Sequence, residues 1–148
     1  MTTTTLTTTT LTAPTTRQTT PQSGKAAYVA RTGTVAGVTA SVATFTFAAA
    51  TRALDVPLKI AGESIPPAGF AQLTFVAAII GTILAVVLSR RASRPRRTFV
   101  VTTLACTLVS FVPDVLADAT TATKFALALS HVVAAAIVIP ALISRLTD

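Results

Sequence analysis

The sequence predicts an all-α membrane protein, a bundle of four transmembrane helices with both chain ends on the cytoplasmic side and a disordered threonine-rich tail in front. Three observations carry that prediction. Four long runs are almost free of charge; charged residues make up only 11% of the 148-residue chain, with a mean hydropathy of +0.70; and the basic residues cluster beside the runs. A soluble domain carries about 25% charged residues, enough to cover its surface with polar groups. This chain cannot do that, so its apolar side chains must face lipid.

The tail comes first. Thirteen of the first twenty residues are threonine, and so polar a segment cannot bury enough apolar surface to offset the entropy lost on ordering. Residues 1–27 are therefore expected to be a disordered tail ahead of a membrane domain over 28–148. No apolar core follows a basic start early in the chain, so a signal peptide is not expected.

Helix 1 is placed at 32–52, between Arg31 and Arg52. Helix 2 is placed at 68–89, after Pro66 and Pro67, which suit a helix start. Helix 3 is placed at 98–117 and helix 4 at 124–145, the run between Lys124 and Arg145 being interrupted only by His131. Each approaches the roughly 20 residues a helix needs to cross about 30 Å of hydrocarbon. Strands of a membrane barrel would instead alternate apolar and polar residues over segments of about ten, and these runs are continuous and alanine-rich. The short connection between helices 3 and 4 makes them antiparallel neighbours.

Orientation follows from the basic residues. With the N-terminus inside, Arg17, Lys25, Arg31, Arg145 and the cluster Arg90, Arg91, Arg94, Arg96 and Arg97 are cytoplasmic. Arg52, Lys59 and Lys124 are then outside, a bias of nine to three in the direction of the positive-inside rule. The same cluster, between two apolar runs and without interleaved aromatics, reads as a topology signal and excludes nucleic acid as the expected partner. The outer segment Val56–Pro67 alternates Leu58, Lys59 and Ile60, turns at Ala61-Gly62-Glu63 and resumes at Ile65. This is a short hairpin signature. Such a hairpin would cap the bundle or meet a partner; the plainer expectation is a loop dipping apolar residues into the interface.

Few residues are candidates for chemistry. Gly33 and Gly37 form a Gly-x-x-x-Gly pair continued by Ser41, Thr44 and Ala48, a small-residue face for close helix packing within the bundle or against a second copy. Thr103, Thr107, Ser110 and Asp114 fall on one face of helix 3. Asp114 and His131 stand at similar heights on either side of the helix 3–4 connection, which makes them a candidate intramembrane polar pair able to bind a proton or a polar head group. An ionisable group within hydrocarbon implies function by default, whereas an interfacial Asp beside water does not. The single Cys106 excludes an internal disulfide, and with one histidine no metal site is expected. No catalytic motif is present, so no enzyme activity and no cofactor are expected.

The segment Arg52-Ala-Leu-Asp-Val-Pro-Leu, the arginine cluster, and Leu127-Ala-Leu-Ser-His131 leading to Ile139-Pro140-Ala-Leu-Ile-Ser-Arg145 resemble a family of small bacterial four-helix membrane proteins of unknown function. The resemblance runs from about Tyr28 to Leu146. It implies a multi-pass protein of the bacterial plasma membrane, draws attention to His131, and brings no catalytic role. The functional expectation is a non-enzymatic accessory protein, or a binder of lipid or a small amphiphile in the outer half of the bundle. Its partners would be the bilayer and a membrane protein or second copy. The alternative is a small oligomeric proton-coupled transporter using Asp114 and His131.

Overall fold

The computed structural model describes residues 22–147. The tail expected over 1–27 lies, through residue 21, outside the described residues. Four helices follow: α1 (Gln22–Ala53), α2 (Pro67–Arg91), α3 (Pro95–Leu116) and α4 (Thr121–Ile143). All four are long and apolar enough to cross a membrane, and large apolar side chains such as Val42, Leu73, Ile83, Leu108 and Leu129 remain exposed on them. So extensive an apolar belt is not sustained in water; this is the architecture of a multi-pass membrane protein. α1 packs against α2 and α4, and α3 closes the bundle against α4 and α2.

α1 starts at Gln22, well ahead of the expected 32, and so claims residues 22–27 that were assigned to the tail. The added segment is too polar to register as an apolar run, but Ala26 and Val29 are buried on one face of it. Val29 joins Ala85, Phe99, Leu142 and Leu146 in a core cluster at the end of the bundle that carries the termini. Farther along α1 the buried face consists of Gly33, Ala36, Gly37, Ala40, Thr44 and Ala48. α2 lies directly on it: a Cβ on Gly33 would overlap the Thr82 side chain, and one on Gly37 would stand 2.9 Å from the Ala78 Cβ. The glycines thus serve the α1–α2 contact, where bare backbone permits an approach no larger residue allows, and this face is occupied within the chain. The Thr44 and Thr74 hydroxyls meet across the same interface at 3.1 Å.

The arginine cluster was expected in a loop. Instead α2 continues to Arg91 and α3 begins at Pro95, with Arg94 as its N-cap, so only residues 92–94 connect them. Arginine is a good helix former and proline at the first helical position is pre-organised for the turn, which is why both helices run into the cluster. Arg90 and Arg91 sit in the last turn of α2, where positive charge suits the helix dipole.

At the opposite end, β1 (Lys59–Ile60) and β2 (Glu63–Ser64) pair antiparallel, Lys59 opposite Ser64 and Ile60 opposite Glu63. Ala61 (φ 50°) and Gly62 (φ 83°) are both left-handed, the requirement of the tight hairpin turn whose twist matches that of the strands. The hairpin caps the bundle rather than lying flat as an interfacial loop. Leu58 is buried with Ala48, Phe70 and Ala126, the Ala61 N–H donates to the Asp118 carbonyl at 2.8 Å, and Thr123 donates its hydroxyl to the Pro57 carbonyl. Thr120 caps α4 by accepting from the Thr123 N–H at 3.3 Å. Lys124 Nζ donates to the Val115 carbonyl at 2.7 Å, occupying one of the orphan acceptors at the end of α3.

Candidate functional site

The two core clusters fill the ends of the bundle and leave its middle open. Where α2, α3 and α4 face each other, the positions read Ala77, Ala78, Gly81, Ala134 and Ala135, and residues so small cannot fill the space between helices. A cavity of about 320 Å³ results, bounded toward the arginine end by Phe99 and Leu84. On α3 its wall runs from Phe99 to Ser110, roughly 16 Å at about 1.5 Å per residue. A Cβ on Gly81 would meet nothing within 4 Å, so this part of the cavity is bounded only by backbone.

One side of the cavity is polar. Thr103, Thr107 and Ser110 line it together with His131. Each hydroxyl donates to a carbonyl of its own helix: Thr103 to Phe99 at 2.8 Å, Thr107 to Thr103 at 2.8 Å, and Ser110 to Thr107 at 2.7 Å. Their hydrogens are therefore engaged, and what they offer inward is oxygen lone pairs. The stripe presents hydrogen-bond acceptors to a mostly apolar cavity, whose α2 side adds the Thr74 hydroxyl.

Asp114 does not line the cavity. It stands one turn beyond Ser110, only 9% exposed, with its Oδ2 3.2 Å from His131 Nδ1. Nδ1 is also 2.9 Å from the Leu127 carbonyl oxygen. A backbone carbonyl can only accept, so in the bond to Leu127 the ring carries its hydrogen on Nδ1. That hydrogen is aligned on Leu127, and Asp114 Oδ2, close as it is, has no aligned hydrogen bond. Nε2 is left as the free nitrogen of a ring at the cavity wall. Phe111 holds the imidazole edge-on, with centroids 6.0 Å apart and the planes at 90°. Asp114 is thus brought to His131 at the hairpin end of the hydroxyl stripe, and the ring links carboxylate to cavity.

Two features escape a reading of single runs. Cys106 lines the same cavity and is exposed. It falls three residues after Thr103, a spacing that already puts it next to the stripe. Gly81 carries no signal in the sequence, because an isolated glycine in an apolar run has no partner until its helix is docked. Gly33 and Gly37 are apart from this site, on the α1–α2 contact. Among the described residues, no group of three or more His, Cys, Asp or Glu side chains is placed to hold a metal ion.

Residues 24–148 match the family of unknown function DUF6069. No curated protein and no solved structure matches the chain.

Proposed function

The chain belongs to the DUF6069 family, and from that premise we propose that it is a non-enzymatic, multi-pass protein of the bacterial plasma membrane that binds a small amphiphile between α2, α3 and α4. The reading is supported by one observation above all: a mostly apolar cavity of about 320 Å³ with a line of hydroxyl acceptors down its α3 wall. Binding sites for small amphiphiles are mostly apolar, with a few placed polar groups that fix orientation. Because the hydroxyl hydrogens are spent within α3, the fitting ligand has a donor-bearing head, such as a hydroxyl, on an aliphatic chain. The head would lie toward His131 and the chain toward Phe99 and Leu84. The nine-to-three distribution of basic residues puts the arginine end in the cytoplasm and the hairpin and His131 in the outer half.

Cys106 provides the test, since it is the only cysteine in the chain and lines the chamber. In nanodiscs of phosphatidylcholine, a medium-chain monoacylglycerol should slow alkylation of Cys106 by a small maleimide, saturably with concentration. A rate that ignores the monoacylglycerol, or falls equally for an alkane of the same length, removes the proposal.

The 3.2 Å approach of His131 to Asp114 favours a second reading, a proton-coupled carrier that uses the pair as its relay. So few helices would require assembly of several copies to enclose a path. Asp114→Asn in proteoliposomes would then abolish a proton flux that the native protein supports; no flux in the native protein ends that reading.

A further inference from the structure

We propose that a second groove, between α1 and α4 at the arginine end, holds the phosphate of an anionic glycerophospholipid, clamped by Arg31 and Arg145. The two arginines come from opposite ends of the sequence and line one groove of about 570 Å³ with Tyr28. The Arg145 guanidinium carbon lies 4.6 Å from the centre of the Tyr28 ring, a cation–π contact that holds the side chain in place while leaving its N–H fork available. Away from the charges the groove wall is mainly apolar, through Val35, Ile137 and Ala141, and the Thr39 hydroxyl on it donates to the Val35 carbonyl of its own helix at 2.9 Å.

Charge complementarity selects the occupant. Asp55, Glu63, Asp114 and Asp118, the four carboxylates among the described residues, lie in the hairpin half of the bundle or beyond it. None is positioned to neutralise Arg31 or Arg145. Guanidinium forks match phosphate oxygens in pairs, and Tyr is suited to the headgroup level, where its ring is half apolar and half wet. Two arginines at the mouth of a groove that continues as an apolar wall along the helix axis fit one molecule with a phosphate joined to an acyl chain. Free phosphate would use the mouth and leave the wall unused. This groove is separate from the chamber of α2, α3 and α4, and neither assignment depends on the other.

The test is native mass spectrometry of the full-length protein released from nanodiscs of equal parts phosphatidylglycerol and phosphatidylcholine. The native protein should retain one phosphatidylglycerol in preference to phosphatidylcholine. The double variant Arg31→Gln/Arg145→Gln should lose at least about tenfold of that preference, whereas Arg90→Gln/Arg91→Gln, which removes equal charge at the same end, should keep it. Ala141→Trp, which fills the apolar wall and spares both arginines, should also weaken retention. Glycerol 3-phosphate, a headgroup without chains, should not compete at millimolar concentration. Equal retention of the two lipids by the native protein overturns the proposal, as does equal loss in the two arginine variants. Competition by glycerol 3-phosphate would make this a site for soluble phosphate esters and overturn the lipid assignment.

Discussion

Asp114 and His131 stand 3.2 Å apart, yet the imidazole hydrogen is aligned on Leu127. The pair is therefore held by close approach and shared burial more than by a directed hydrogen bond. Removing one partner leaves the other in poor solvation, so each single change should cost more than its share of the double change. A double-mutant cycle with Asp114→Asn and His131→Gln, read as unfolding free energy in detergent, should give a coupling of about 1 kcal/mol or more. Additive effects would show that the approach carries no energy. Ala61 is a second residue whose local state is unusual. At φ 50° it occupies a region that costs an L-residue with a Cβ roughly 1–2 kcal/mol and that Asn tolerates better. Ala61→Asn would make an Asn-Gly turn, the preferred pair for this hairpin, and should raise stability by about 0.5–1 kcal/mol. An unchanged or lower midpoint in detergent unfolding would contradict it. The similar heights of Asp114 and His131 were legible from the short connection between their helices. The direction of the Nδ1 hydrogen was not, because it depends on a carbonyl of the ring's own helix.

At the scale of the helices, two glycines should answer in opposite directions. Gly33 faces Thr82 at a distance no side chain can share, and Thr82 is itself tied to the Ala78 carbonyl at 2.7 Å. Gly33→Ala should therefore separate α1 from α2 and cost about 1–3 kcal/mol, the range for overpacked cores. Gly81 opens on the chamber with nothing within 4 Å of its absent Cβ, so Gly81→Ala should stabilise by about 0.5–1 kcal/mol through the stiffer unfolded chain and better helix propensity. Equal signs in thermal unfolding would mean the two helices are docked on other faces. Helix existence was legible throughout, since an apolar run of spanning length has few alternatives in lipid. Helix ends were less so. The first turns of α1 read as tail because they are polar, and the Val29 that follows them packs with Leu142 and Leu146 from the other end of the chain. The arginine cluster read as loop because charge interrupts an apolar run without interrupting a helix.

The whole molecule joins a topology to a chamber. A cytoplasm-active reporter fused after residue 148 should be active, and one inserted at Gly62 should be inactive. Neutralising Arg90, Arg91, Arg94, Arg96 and Arg97 together should mix the orientations, because it leaves four basic residues inside against three outside. That distribution could be counted along the chain. The chamber could not, because it is a volume left between three helices whose facings are set only when they pack. Alanine and glycine at 77, 78, 81, 134 and 135 were its one local trace. The most direct test of the chamber is a binding titration of a radiolabelled medium-chain monoacylglycerol to the native protein and to Gly81→Leu, both in phosphatidylcholine nanodiscs. The native protein should show saturable uptake above partition into lipid, and the leucine, projecting into the open space at Gly81, should abolish it while leaving the fold intact by circular dichroism. Saturable uptake of equal size in both proteins, or simple partition in both, would contradict the account.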